Sequence, residues 1–208
     1  MPQDGGIGCL GVDRKLKGFG MRISNPTVNL ALIAMLTALT TVATAILVIP
    51  FPSTQGYFNL GDSLVMISGL LLGPIGGFFA GGVGSAFADV ILGWPAYAPV
   101  TFLAKGFEGF FVGLLSMKTA KRARLSGWDI IGLVLGSAAM LIGYLLGEMF
   151  LLSYTFEVAL GELITINSIQ VIMGSIATVL AGPILRRYLD DQIPDLEELT
   201  LELEDLEE

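Results

Sequence analysis

Six apolar stretches alternate with short polar breaks along this chain. The first runs from about Thr27 to Ile49, behind Pro26, a residue suited to a first helical turn. The second covers about Leu60 to Leu72, and the third follows Gly73-Pro74 and reaches about Leu92. The fourth spans about Val100 to Met117, the fifth about Asp129 to Leu152, and the sixth about Leu163 to Leu185. The second stretch has some 13 residues, short of the ~20 that cross hydrocarbon upright. It is therefore expected to pack against the third as a shielded helical hairpin. The expected fold is all-α, a polytopic membrane bundle of six transmembrane helices over residues 26–189. Residues 1–25 are then an N-terminal cytoplasmic extension and residues 190–208 an acidic tail.

Small residues recur at intervals of four within several stretches: Gly73, Gly77 and Gly81; Ala80, Gly84 and Ala88; Gly132 and Gly136; Gly143 and Gly147; Gly174, Thr178 and Gly182. Such rows let helix backbones approach closely in lipid. The first stretch carries Ala34-x-x-x-Ala38, extended by Thr41 and Ala45. Internal packing accounts for any one row, so the rows alone name no partner face.

Composition narrows the class. The chain is 53% hydrophobic and 14% charged, with mean hydropathy +0.75, whereas an average soluble domain is about 25% charged. A soluble core of 208 residues could not hide this much apolar surface. The net charge of −8 misleads, because ten of the 19 acids lie after Leu189 with no base among them. In that tail Leu196, Leu199, Leu203 and Leu206 are spaced for a short amphipathic helix. The first 25 residues are glycine-rich and basic without an apolar core, so no cleavable signal peptide is expected. Met21 is a candidate start of the folded part.

The bases set a topology. Ten of the 11 lie outside the apolar stretches: four before the first, Lys118, Lys121, Arg122 and Arg124 between the fourth and fifth, and Arg186 and Arg187 after the last. An even number of spans puts all ten on one side, which the positive-inside rule makes cytoplasmic. The expected outer loops, Pro50–Asn59, Gly93–Pro99 and Ser153–Glu162, carry none. The exception is Lys105, inside an apolar run and three residues before Glu108. A charge within a bilayer costs roughly 2.5–3.5 kcal/mol on insertion scales, so it calls for a partner or a task.

Lys105 has company at its depth. At about 1.5 Å per residue it lies roughly 9 Å below the outer boundary, Glu148 roughly 6–8 Å, and Asn167 and Gln170 roughly 6–11 Å. Asn59, Asp62 and Asp89 belong to the same end, and Glu108 is deeper. Tyr57, Phe58, Trp94 and Tyr97 stand on the loops above. This common layer reads as an outward-opening ligand cavity. Each member also has a simpler role. Asn59 and Asp62 have capping-box spacing, and Lys105 and Glu108 are placed to pair along one helix. Asp89 sits near a helix end, where capping or solvation is the expected role. Glu148 has Lys105, a ligand or water as partner. Trp94 and Tyr97 suit interfacial anchoring, and Asn167 and Gln170 suit interhelical bonding. The single cysteine, Cys9, rules out an internal disulfide, and the absence of histidine removes Ser-His and His-metal chemistry. An Asp/Glu-only metal site or a Ser-Lys dyad stays open on composition, but no metal or cofactor is expected. Nor is a nucleic-acid partner.

Pro50-Phe-Pro, Gly56-Tyr-Phe-Asn-Leu-Gly-Asp62, Gly73-Pro-Ile-Gly-Gly77, Gly81–Asp89 and Ala98–Gly109 occur in this order. Over residues 27–117 that order resembles the substrate-binding S component of energy-coupling factor (ECF) vitamin transporters. The resemblance implies six helices with cytoplasmic ends and a vitamin or vitamin precursor held near the outer face under the loop Pro50–Asn59. It points to the hydroxymethylpyrimidine/thiamine-precursor and riboflavin groups. It implies docking on an ECF scaffold transmembrane subunit through Ala34 and Ala38, with two ATPase subunits supplying energy, in a prokaryotic cytoplasmic membrane. The substrate contacts then expected are Asn59, Asp62, Trp94, Tyr97, Lys105, Glu108, Glu148, Asn167 and Gln170. Two rivals remain on the residues alone. One is an intramembrane enzyme using Asp62, Asp89 or Glu148; the other is a stand-alone transporter or channel with Lys105–Glu108 as a relay.

Overall fold

A computed structural model describes residues 26–50, 57–119 and 124–192, with no side-chain placement at residues 26 and 190. The expectations for Met21, Cys9, Lys121, Arg122 and the leucine-spaced tail lie outside the described residues. Helix α1 is Pro26–Ile46. Two short strands follow, β1 (Ile49–Pro50) and β2 (Tyr57–Phe58), paired antiparallel with Ile49 opposite Phe58. Then come α2 (Gly61–Ile91), α3 (Ala98–Ser116), α4 (Gly127–Phe150) and the short α5 (Phe156–Glu162). A π turn over Leu163–Asn167 leads into α6 (Ser168–Gln192).

Among the described residues, five helical elements are long and apolar enough to cross a membrane, one fewer than the six stretches expected. The difference lies in α2, which contains both the second and third stretches. It is not straight: Gly73 sits at φ 82°, ψ −171°, a conformation open to glycine and strained for other residues. Past that point the chain folds back. A Cβ placed on Gly81 would stand 2.7 Å from Val65 Cγ1, and one on Gly77 would stand 2.6 Å from Gly69 Cα. In a straight helix residues 65 and 81 would be about 24 Å apart. The two arms of α2 thus form the compact hairpin that the short second stretch predicts.

This hairpin is the hub. Its spanning window is 78% buried, against 22% for α1 and 28% for the α5–α6 run. Glycines decide how closely neighbours approach. Gly77 and Gly109 of α3 meet backbone to backbone, with no room for a Cβ on either. The row Gly132 and Gly136 seats α4 on Val112 and the Glu108 carbonyl of α3, and Gly174 seats α6 on Asp62. Gly84 receives α1 at Thr37 and Thr40, while Thr41 Oγ1 donates to the Gly84 carbonyl at 2.8 Å. That orientation leaves Ala34 and Ala38 exposed on the outer side of α1.

Two boundaries differ from expectation. The loop expected over Ser153–Glu162 is mostly helix, since α5 begins at Phe156. Glu157 and Glu162 interrupt the hydropathy there, but Ala159 and Glu162 are buried and Glu157 is exposed, as on an amphipathic helix. The last helix also continues beyond Leu185, and Arg186 is fully buried rather than free outside the bundle. Its guanidinium donates to both carboxylate oxygens of Asp129, at 2.7 and 3.3 Å. Asp129 in turn accepts from Thr119 Oγ1 and from the Ser126 N–H, both at 2.8 Å, closing a capping box at the start of α4. A buried ion pair therefore joins α4 and α6 at this end of the bundle, and Thr119, just past the end of α3, bonds to its carboxylate.

Candidate functional site

At the opposite end, α1 through α6 and the β-hairpin enclose one polar chamber. Its walls are Thr44 of α1, Tyr57 and Asn59 of the hairpin, Ser85 and Asp89 of α2, and Tyr97, Thr101 and Lys105 at and within α3. Tyr144 of α4, Glu162, Asn167 and Gln170 complete them. The free volume within it is about 20 Å³, room for about one water molecule.

Lys105 is 1% exposed and its ammonium is bonded to Asp62 of α2, with Glu108 Oε2 at 3.4 Å. Gln170 Nε2 reaches the same Asp62 oxygen at 3.3 Å, so α2, α3 and α6 meet on one carboxylate. The ammonium also faces the Tyr144 ring at 5.6 Å. Asp62 and Glu108 lie behind the chamber wall and set the position of Lys105, which lines it. The capping box expected at Asn59 and Asp62 does not form. Leu60 is the N-cap; Asn59 Oδ1 accepts from the Gly61 N–H at 2.8 Å, while Asp62 turns inward to Lys105.

Asp89 was expected to cap or to be solvated; instead it is 2% exposed and accepts the Tyr57 hydroxyl at 2.6 Å. Burial first, and then the charge of Asp89, push the Tyr57 phenol well above its ordinary range, so Tyr57 remains a neutral donor. Trp94 lies outside the chamber and covers Tyr57, the two rings 4.4 Å apart. Tyr97 lines the chamber and packs against Tyr154 at 6.4 Å. Glu148 is fully buried but does not pair with Lys105, whose ion-pair partners are Asp62 and Glu108. Its carboxyl lies in hydrogen-bonding reach of Glu162, a residue the hydropathy pattern had assigned to a loop. The π turn explains how Glu162, Asn167 and Gln170 share the chamber. One i→i+5 turn keeps residues 162 and 167 on one face, where a regular helix would rotate them apart.

Several lining residues stand outside the expected contacts: Thr44, Ser85, Thr101, Tyr144 and Glu162. Three of them follow a rule visible in the sequence. Ser85, Thr101 and Tyr144 each stand four residues before a buried charged residue, Asp89, Lys105 and Glu148, and such pairs share a helix face. Among the described residues no cluster of acidic, histidine or cysteine side chains suits a metal ion. Unpartnered polar atoms do face the chamber: Thr44 Oγ1, Ser85 Oγ, Asn167 Nδ2 and Gln170 Oε1. Buried polar atoms are normally bonded, so this set leaves unused hydrogen-bonding capacity at the chamber.

Five long apolar helices with a polar chamber at one end define a multi-pass membrane protein. A family model described as "ECF-type riboflavin transporter, S component" matches residues 24–192, and the chain belongs to that family of transporter S components. The family is one of vitamin-uptake subunits and not of enzymes. The chain is also similar to a Pyrococcus woesei protein described as an "uncharacterized protein in gap 3'region". The two are 47% identical over 104 residues, 50% of this chain and 67% of the relative.

Proposed function

We propose that this chain is the high-affinity substrate-binding subunit of an ECF-type importer in a prokaryotic cytoplasmic membrane, and that its ligand is riboflavin or a similar flat heterocycle. The observation that carries this reading is the buried chamber with unpartnered polar atoms on four different elements. Aromatic side chains at Tyr57, Tyr97 and Tyr144 suit a flat ring system. Lys105, Asn167 and Gln170 supply hydrogen bonds, Asp62, Glu108 and Glu148 hold the contacting groups in place, and Asn59 with Trp94 shapes the gate.

In this reading the two arms of α2 and the other four long helices make six passes, with both ends cytoplasmic. The charge asymmetry supports it. Lys118, Arg124 and Arg187 lie at the end away from the chamber, and the chamber end carries no base except Lys105. The chamber then faces outward. Titrating purified protein in detergent with riboflavin, followed by quenching of flavin fluorescence, should give saturable one-to-one binding. No binding would overturn the ligand assignment, and mass spectrometry of the co-purifying small molecule would then name the replacement.

The exposed pair Ala34 and Ala38 on α1 is the proposed seat of the scaffold transmembrane subunit, to which two ATPase subunits attach. Small side chains on a lipid-facing surface allow close helix contact. Ala34→Leu should leave riboflavin affinity unchanged and stop uptake in vesicles reconstituted with the scaffold and ATPases. Normal uptake by that variant would remove this face from the docking surface.

A further inference from the structure

Two kinds of unused polar group line the chamber, and they come from different helices. On the π turn and α6 they are amides: Asn167 Nδ2, and Gln170 Oε1, whose own Nε2 donates to Asp62 at 3.3 Å. On α1 and α2 they are two hydroxyls and one carboxylate oxygen: Thr44 Oγ1, Ser85 Oγ and Asp89 Oδ2. These three side chains are 2% exposed or less, and those atoms have no hydrogen-bond partner among the described residues. The seam between α1 and α2 explains why they meet. Gly84 admits α1 at Thr37 and Thr40, and Thr41 Oγ1 donates to the Gly84 carbonyl at 2.8 Å. Beyond that contact, toward the chamber, come Thr44 on α1 and Ser85 and Asp89 on α2. Ser85 and Asp89 are four residues apart and share a helix face.

Asp89 is held from two sides. Its Oδ1 accepts the Tyr57 hydroxyl at 2.6 Å, and Thr101 of α3, which itself accepts from Tyr144 at 3.0 Å, faces the same carboxyl. Oδ2 still lacks a donor. Thr44 and Ser85 can each donate once and also accept. An ammonium guest would serve Asp89, but it has no acceptor and would leave both hydroxyl hydrogens unbonded. A chain of hydroxyl groups donates and accepts, so it matches all three. We propose that Thr44, Ser85 and Asp89 form a subsite for a hydroxyl-bearing side chain of the ligand, with Asp89 Oδ2 as its acceptor, leaving the amides of Asn167 and Gln170 to the ring. This rests on the importer-subunit reading above and adds a specificity that ring chemistry does not supply. A flat heterocycle without such a chain leaves the three groups buried and unbonded, which is costly.

The test compares riboflavin with lumiflavin, the same ring system bearing a methyl group in place of the hydroxylated chain, by fluorescence titration of full-length protein in detergent. Native protein should bind riboflavin about tenfold more tightly or better. Thr44→Val combined with Ser85→Ala should cut that preference to about threefold or less by weakening riboflavin alone. The double variant should show no fall in unfolding temperature, since neither hydroxyl gives up a bond within the protein. Asp89→Asn, which puts a donor where Oδ2 accepts, should lose about tenfold in riboflavin affinity and keep its lumiflavin affinity. Equal binding of the two flavins by native protein, or equal weakening of both in the double variant, overturns the proposal. Should neither flavin bind native protein, the flavin reading fails, and ribitol then decides the subsite. Protection of native protein but not of the double variant against thermal unfolding upholds it; protection of both, or of neither, overturns it.

Discussion

Lys105→Met should abolish riboflavin binding and lower the unfolding temperature sharply, while the chain still inserts. The side chain is 1% exposed and compensates Asp62 and Glu108, which are 1% and 0% exposed. Removing one partner of a buried ion pair costs about 3–5 kcal/mol, because the remaining charge has neither water nor a counter-ion. Stability and binding then need to be separated. Lys105→Met combined with Asp62→Asn removes one stranded anion and keeps a polar group opposite Gln170. The double variant should recover much of the stability without recovering binding. Thermal unfolding in detergent and the flavin titration read the two effects independently. Unchanged affinity in the single variant would remove Lys105 from the site.

Arg186→Leu should destabilise by a comparable ~3–5 kcal/mol yet leave the riboflavin affinity of the folded protein intact. The Arg186–Asp129 pair is fully buried and ties α6 to the α3–α4 junction at the end away from the chamber. Asp129 would keep its bonds from Thr119 and Ser126, but not its charge partner. Arg186→Lys should rescue only in part, since an ammonium cannot reproduce the two-pronged contact with both oxygens. Unfolding of Arg186→Leu at the native temperature would show that the pair is dispensable, and weakened binding would show that the two ends are coupled.

The contrast between these two basic residues shows how far the sequence could be read. Lys105 has only apolar residues and glycine immediately on either side, Phe102 to Ala104 before it and Gly106 and Phe107 after it, so hydropathy alone marks it as buried. Arg186 follows an apolar run beside Arg187 and next to an acidic tail, and reads as a loop base. Burial of Arg186 depends on Asp129, 57 residues earlier, and no local pattern announces that pairing. Glu162 was hidden for the same reason. One more acid at an apparent loop carries no signal until α5 and the π turn fold it toward Glu148. The deep hairpin was legible, since a stretch too short to span, followed by Gly-Pro, leaves few alternatives.

By itself, the sequence determined the membrane class, the run of apolar helices, the polar layer at one end and the small-residue faces. These follow from composition and periodicity, which act over a few helical turns. Only the tertiary structure decided which carboxylate holds Lys105, that Glu148 meets Glu162, and that Asp62 serves as an ion-pair anchor instead of a cap. Those choices arise where side chains from distant helices compete for a few partners in a space without water. Their outcome is set by packing across helices, and spacing along one helix does not encode it.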